Sequence, residues 1–100
     1  MPRIIERHQI EGLDERRRVF NRLTDIQRED KGYSALFHYE GLTFKTPPSR
    51  TIEATLEVLI GQLREKGFSN LRTRLNFRGK RYFAEREAWV VHQDPEPITP

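Results

Sequence analysis

Between Thr46 and Gly67 the chain admits one kind of element. Ile52, Leu56, Leu59, Ile60 and Leu63 fall at i, i+4, i+7, i+8 and i+11, a single apolar stripe at helical spacing. Thr46-Pro47-Pro48-Ser49 supplies the start signals, since Thr46 or Ser49 can cap and proline is tolerated in a first turn. Lys66-Gly67 supplies the stop, with Gly67 suited to the left-handed position past the last turn and Phe68 placed to fold back on it. The spacing predicts a helix over about 49–66. Burying each of its apolar side chains is worth about 1.5–3 kcal/mol before entropy is subtracted. Such a stripe is a core element and needs no cofactor or membrane to explain it.

Strand patterns flank this helix on both sides. Upstream, residues 34–46 read as a hairpin whose Glu40-Gly41 turn pairs Tyr39 with Leu42 and Phe37 with Phe44. A three-residue loop with a bulge at Gly41 is the alternative. Downstream, Leu71, Thr73, Leu75 and Phe77 alternate with Arg72, Arg74, Asn76 and Arg78, and Gly79-Lys80 fits a type II′ turn. That turn pairs Arg78 with Arg81, Phe77 with Tyr82, Leu75 with Ala84 and Leu71 with Ala88. It also sets Arg74 across from Glu85 and Arg72 across from Glu87. In this register Arg86 faces the core, while Phe83, Trp89 and Val91 face out. A bulge among Glu85-Arg86-Glu87 would turn Trp89 and Val91 inward, and a covering element would shield the outer face.

Val19, Phe20, Leu23 and Ile26 also repeat at helical spacing, with Asp14 as a cap and Glu29-Asp30-Lys31-Gly32 as a stop, which predicts a first helix over 14–29. The expected fold is therefore α+β in the order αββαββ, an antiparallel four-stranded sheet with the second helix on its apolar face. The expected limits are an edge strand or flexible segment over 1–12, one domain over 13–93, and a flexible proline-rich tail over 94–100.

Composition bounds the function classes. One hundred residues make one domain with a single modest core. The chain has no cysteine, which excludes a disulfide framework and thiolate metal sites. It has no apolar run long enough to span a bilayer and no basic-then-apolar leader, so the expected setting is soluble and cytoplasmic, with no membrane partner. His8, His38 and His92 stand at no metal-ligand spacing, and no nucleophile elbow or phosphate loop occurs. No cofactor is expected and no enzyme is specified. A small-ligand enzyme would require folding to bring His38 or His92 beside the acids of the first helix.

The whole chain carries a formal charge of +3, but residues 71–90 hold six basic side chains against Glu85 and Glu87. Arg72, Arg74, Arg78, Lys80 and Arg81 gather along one hairpin, interleaved with aromatic residues. Arginine forks suit phosphate, and a two-stranded ribbon can enter a nucleic-acid groove. The first expectation is thus a non-enzymatic module that binds a polyanion, RNA or DNA, through these five residues. The alternative is a protein-interaction or homodimerising subunit that covers Phe83, Trp89 and Val91. Arg78-Gly79-Lys80-Arg81-Tyr82-Phe83 resembles the RNP1 signature only in part, because Lys80 and Arg81 stand where an aromatic and a small residue belong. Arg18 and Arg22 resemble the arginine pair of PilZ domains, whose later D/N-x-S-x-x-G motif is missing here.

Overall fold

The computed structural model describes residues 3–83 and 87–95. Two long strands, β1 (Arg3–Leu13) and β2 (Val19–Glu29), are followed by β3 (Gly32–Tyr39) and β4 (Leu42–Lys45). The helix α1 (Ile52–Glu65) then leads to β5 (Ser69–Arg78), β6 (Arg81–Tyr82) and β7 (Val90–His92). All pair antiparallel in one sheet of order β4-β3-β2-β1-β5-β6, with β7 also on β5. Among the described residues there are seven strands and one helix, so the expected αββαββ fold with two helices and a four-stranded sheet is replaced by a mostly β architecture. The described helix is too short and too polar to cross a membrane.

The first expected helix is strand β2. Its helical spacing depended on Val19 and Leu23, and these are 84% and 45% exposed. The buried set is Phe20, Thr24 and Ile26, which share the parity of a strand. Asn21, Thr24 and Asp25 are poor helix formers, and Thr24 satisfies its buried hydroxyl by donating to the Leu36 carbonyl at 2.9 Å. Residues 3–13 pair with β2 on one side and β5 on the other, which makes β1 an interior strand.

The other helix stands where the stripe puts it. Leu56, Leu59, Ile60 and Leu63 are buried against Ile10, Ile26, Phe37 and Leu71 on the inner face of the sheet. Its cap is Thr51, whose side chain accepts from the Ala54 amide at 3.0 Å, because the two expected caps are engaged elsewhere. Buried Thr46 accepts from the Ala35 amide at 2.9 Å, and Ser49 exchanges two backbone hydrogen bonds of 2.8 Å with Tyr33. At the far end Gly67 has φ of 98°, and the amides of Gly67 and Phe68 return to the carbonyls of Arg64 and Leu63.

The Glu40-Gly41 hairpin keeps its expected pairs, Tyr39 with Leu42 and Phe37 with Phe44. Both turn residues have positive φ, 45° and 82°, as a type I′ turn requires. The Gly79-Lys80 hairpin keeps Phe77 with Tyr82 and Arg78 with Arg81. Farther along, the register departs from expectation: Leu71 pairs with His92 and Arg72 with Val91, four residues beyond Ala88 and Glu87. The expected partners Ala84 and Glu85, and Arg86 within the expected bulge, lie outside the described residues. So does most of the expected tail, residues 96–100, although the Asp94 carboxylate accepts from the Asn70 amide at 3.2 Å.

Asp14, expected as a helix cap, organises the β1–β2 turn instead. It is fully buried. Its Oδ1 accepts from the amides of Arg16 and Arg18, and its Oδ2 from Arg18 Nε, all at 2.9 Å. Oδ2 also accepts from the Tyr39 hydroxyl at 2.6 Å. Burial by itself raises the carboxyl pKa, but the Tyr39 hydroxyl, the two amides and the Arg18 guanidinium outweigh it and bring the value down from 3.8 to about 2. A depressed carboxyl stabilises the fold fully above its unfolded value and ceases to do so as pH falls through the folded one. Asp14→Asn is therefore expected to lower the melting temperature at pH 7 by at least about 5 °C. The gap to wild type should narrow between pH 3.8 and about 2. Thermal melts followed by circular dichroism check this, and a gap independent of pH would contradict it.

Candidate functional site

The residues singled out in sequence are only partly brought together. Three of the five basic residues turn to β1. Arg72 Nε reaches Glu11 Oε1 at 2.5 Å, Arg74 Nε donates to Gln9 Oε1 at 2.9 Å, and Arg78 Nε donates to Glu6 Oε2 at 3.0 Å. Lys80 and Arg81 are exposed at the β5–β6 turn and make no ion pair among the described residues. Of the alternative trio, Val91 lies opposite Arg72 and is 64% exposed. Trp89 is half-buried, its ring 4.2 Å from the Arg72 guanidinium and 4.3 Å from that of Arg74. Phe83 lies farther along β5, its amide on the Asn76 carbonyl at 2.8 Å and its ring 5.6 Å from the Arg78 guanidinium. The expected ion pair of Arg72 with Glu87 is replaced by Arg72 with Glu11.

A second site stands on the inner face of the sheet and shares Arg74 and Arg78 with the basic set. Phe20, Phe37, Tyr39, Phe44 and Phe68 pack ring against ring under one half of α1. Toward the β1–β5–β7 end the inward positions carry shorter and polar side chains, Glu6, His8, Thr73, Leu75 and His92, and a cleft of about 300 Å³ opens between them and the start of α1. Ile52 and Leu56 on the helix, with Leu75, Ala88 and Val90 on the sheet side, give it an apolar lining.

Two histidines meet carboxylates there. Glu6, His8, Thr73 and His92 are each less than a tenth exposed. A carboxylate only accepts hydrogen bonds, so neutral His92 carries its proton on Nδ1 and donates it to Glu57 Oε1 at 2.9 Å. Its Nε2 is then a bare acceptor, and the Thr73 hydroxyl 2.8 Å away is the donor. By the same rule His8 Nε2 donates to Glu6 Oε1 at 2.8 Å, which leaves Nδ1 as an acceptor. Arg64 Nη2 fixes the end of β7 by donating to the His92 carbonyl at 3.0 Å.

The charge of this lining is opposite in sign to that of the whole chain. Glu6, Glu53, Glu57 and Glu87 set four carboxylates against the two guanidiniums of Arg74 and Arg78. Arg74 is hydrogen-bonded to Gln9 and stacked on Trp89, and Arg78 is paired with Glu6. Among the described residues no group of three histidine, aspartate or glutamate side chains is arranged to hold a metal ion.

Sequence reasoning missed Glu6, His8, Glu57 and Thr73. His8 is buried on the inner face. The available signal was its parity with Ile10 in an alternating stretch, which is informative only once β1 is known to be interior. His38 is an exposed strand residue, its Nδ1 3.1 Å from the Thr43 hydroxyl. His92 does meet an acid of a helix, but the acid is Glu57 of α1. Compared with protein-family models, with curated proteins and with solved structures, the chain has no significant match.

The chain has one tryptophan, so its emission reports the Arg72–Trp89–Arg74 contact directly. The two cation–π contacts together hold the ring by about 1–2 kcal/mol, a factor of roughly 5–30 in population. Replacing both arginines by glutamine is expected to red-shift the emission and steepen quenching by acrylamide. Unchanged emission and quenching would show that other contacts hold the ring.

Proposed function

We propose that the protein binds a small organic cation with an apolar body in the cleft between α1 and the β1–β5–β7 end of the sheet. One observation carries this reading: four carboxylates line an otherwise apolar cleft against two guanidiniums, and with Glu6 taken by Arg78 and Glu57 by His92, Glu53 and Glu87 are left with no ion pair among the described residues. A ligand there gains by donating N–H groups and by bringing positive charge, while its apolar part covers Ile52, Leu56 and Leu75. The volume of about 300 Å³ lies at the small end of ligand sites, which fits a compact arylalkyl amine.

The polyanion reading retains Lys80 and Arg81 at the hairpin tip. Two phosphate contacts correspond to a log–log salt slope of only about −1.4 to −1.8, a small counterion-release contribution to affinity. The partner reading would cover an outer face crossed by hydrogen bonds among Gln9, Glu11, Asn21, Arg72 and Arg74. A partner there would have to replace solvent around charges that are already satisfied, with exposed Val19, Leu23 and Val91 as its apolar contacts.

Tryptamine and indole-3-propionate are the paired probes, alike in ring and opposite in charge. With about 12 non-hydrogen atoms at about 0.3 kcal/mol each, tryptamine is expected to bind with a Kd of about 2 mM. Amide shifts in a titration by nuclear magnetic resonance should concentrate on β1, β5 and the first turns of α1. Glu53→Gln with Glu87→Gln should weaken binding roughly 2- to 30-fold, and indole-3-propionate should bind much more weakly. Equal binding of the two probes, or shifts centred on Lys80 and Arg81 with the carboxylate, would overturn the proposal.

A further inference from the structure

Thr73 is nearly inaccessible from bulk solvent at 1% exposure, yet it lines the cleft. Its hydroxyl has one described hydrogen bond, the one it donates to His92 Nε2 at 2.8 Å. On the far side of the ring, Nδ1 is held by Glu57 at 2.9 Å. A hydroxyl, a base within hydrogen-bond reach and a third group that fixes the base's tautomer are the components of an activated nucleophile. They come from three separate elements, β5, β7 and α1, and converge on a cleft that admits a small molecule.

We propose that Thr73 is an acyl-accepting nucleophile, with His92 as its general base and Glu57 as the positioning residue. The substrate class is a small ester with a good leaving group. As the Thr73 oxygen forms a bond to the acyl carbon, its proton passes to His92 Nε2, and Glu57 stabilises the resulting imidazolium. The bond from the acyl carbon to the leaving oxygen breaks, and its electron pair departs with that oxygen. A weakly basic phenolate leaves as the anion, whereas an alcohol takes the proton back from Nε2. After phenolate departure the imidazolium releases its Nε2 proton to solvent. Neutral His92 then takes a proton from water as the water oxygen attacks the acyl-threonine. The bond from the acyl carbon to the Thr73 oxygen breaks, and that oxygen takes the proton back from Nε2 as the carboxylic acid leaves. Proton transfer by a positioned imidazole contributes about 10²–10⁴ in rate, which suits activated esters. The inference rests on the cleft admitting a small molecule, as the binding reading does, but not on that molecule's charge.

The test treats the full chain with p-nitrophenyl acetate, follows release of p-nitrophenolate, and maps acetyl groups by peptide mass spectrometry. Wild type is expected to show a burst near one equivalent and acetyl on Thr73. Thr73→Val should lose that burst, and Thr73→Ser should retain it. Glu57→Ala removes a side chain that is 63% exposed, so it should fold normally. Its Thr73 acylation should be at least about tenfold slower, and the downfield proton resonance of His92 Nδ1–H should be lost. Acetyl found only on lysines or the amino terminus would overturn the inference, as would equal acylation of Thr73 in wild type and Glu57→Ala. Tryptamine binding measured on the same samples separates the two proposals. Binding without acylation sinks only the nucleophile, and acylation without binding sinks only the cation reading.

Discussion

β5 returns to the sheet only after the chain has crossed its inner face as α1, and the edge it finds there is β1. That antiparallel pairing joins residues as far apart in sequence as Glu6 and Arg78, and closing so long a loop costs entropy before any contact repays it. Specific side chains mark the register. Glu6 receives Arg78, Gln9 receives Arg74 and Glu11 receives Arg72. A one-residue slip would carry each of these side chains to the opposite face and leave it without its partner. Arg72, Arg74 and Arg78, which look in sequence like a ligand surface, each hydrogen-bond from β5 to a side chain of β1.

The same sheet treats its two halves differently. On the β2–β3–β4 side, five aromatic rings fill the space beneath the helix. Asp14 ties the β1–β2 turn to Tyr39 in that half. Burial, and then the bond to Asp14, raises the Tyr39 pKa to about 12, so this phenol remains a donor at any ordinary pH. On the β1–β5–β7 side the inward side chains are histidine, threonine and glutamate; His92 meets the helix only through Glu57, and the space beside that contact remains as the cleft. A filled aromatic half supports an open polar half.

Within the cleft, function follows from the direction of the hydrogen bonds. Each histidine is oriented by a carboxylate, which sets where its proton sits and what its other nitrogen offers. His92 thereby becomes an acceptor for Thr73, and the remaining carboxylates make the lining attractive to a cation. A local acceptor surplus on a chain of net charge +3 shows why composition is a poor guide to a site. Of the cleft's acids, Glu53 and Glu57 stand on α1 and Glu6 on β1, while Lys80 and Arg81 lie away from the cleft at the hairpin tip.

Local order was legible because local physics produces it. The stripe from Ile52 to Leu63, the stop at Gly67, the turn at Glu40-Gly41 and the alternation through Leu71, Thr73 and Leu75 are all set by neighbours within a few residues. Where the structure departs from the sequence reading, the deciding contact is distant. Val19, Phe20, Leu23 and Ile26 fit a helix until β1 pairs along the whole segment and β3 along its second half, after which Val19 and Leu23 turn outward. Arg72 finds Glu11, 61 residues away, rather than Glu87, because β1 occupies the neighbouring position in the sheet. Glu57, Thr73 and His92 carry no common motif. They meet because a helix crosses the sheet at one height and a three-residue strand ends at another, and the closure of those distant segments, absent from any short stretch of sequence, is what creates the cleft.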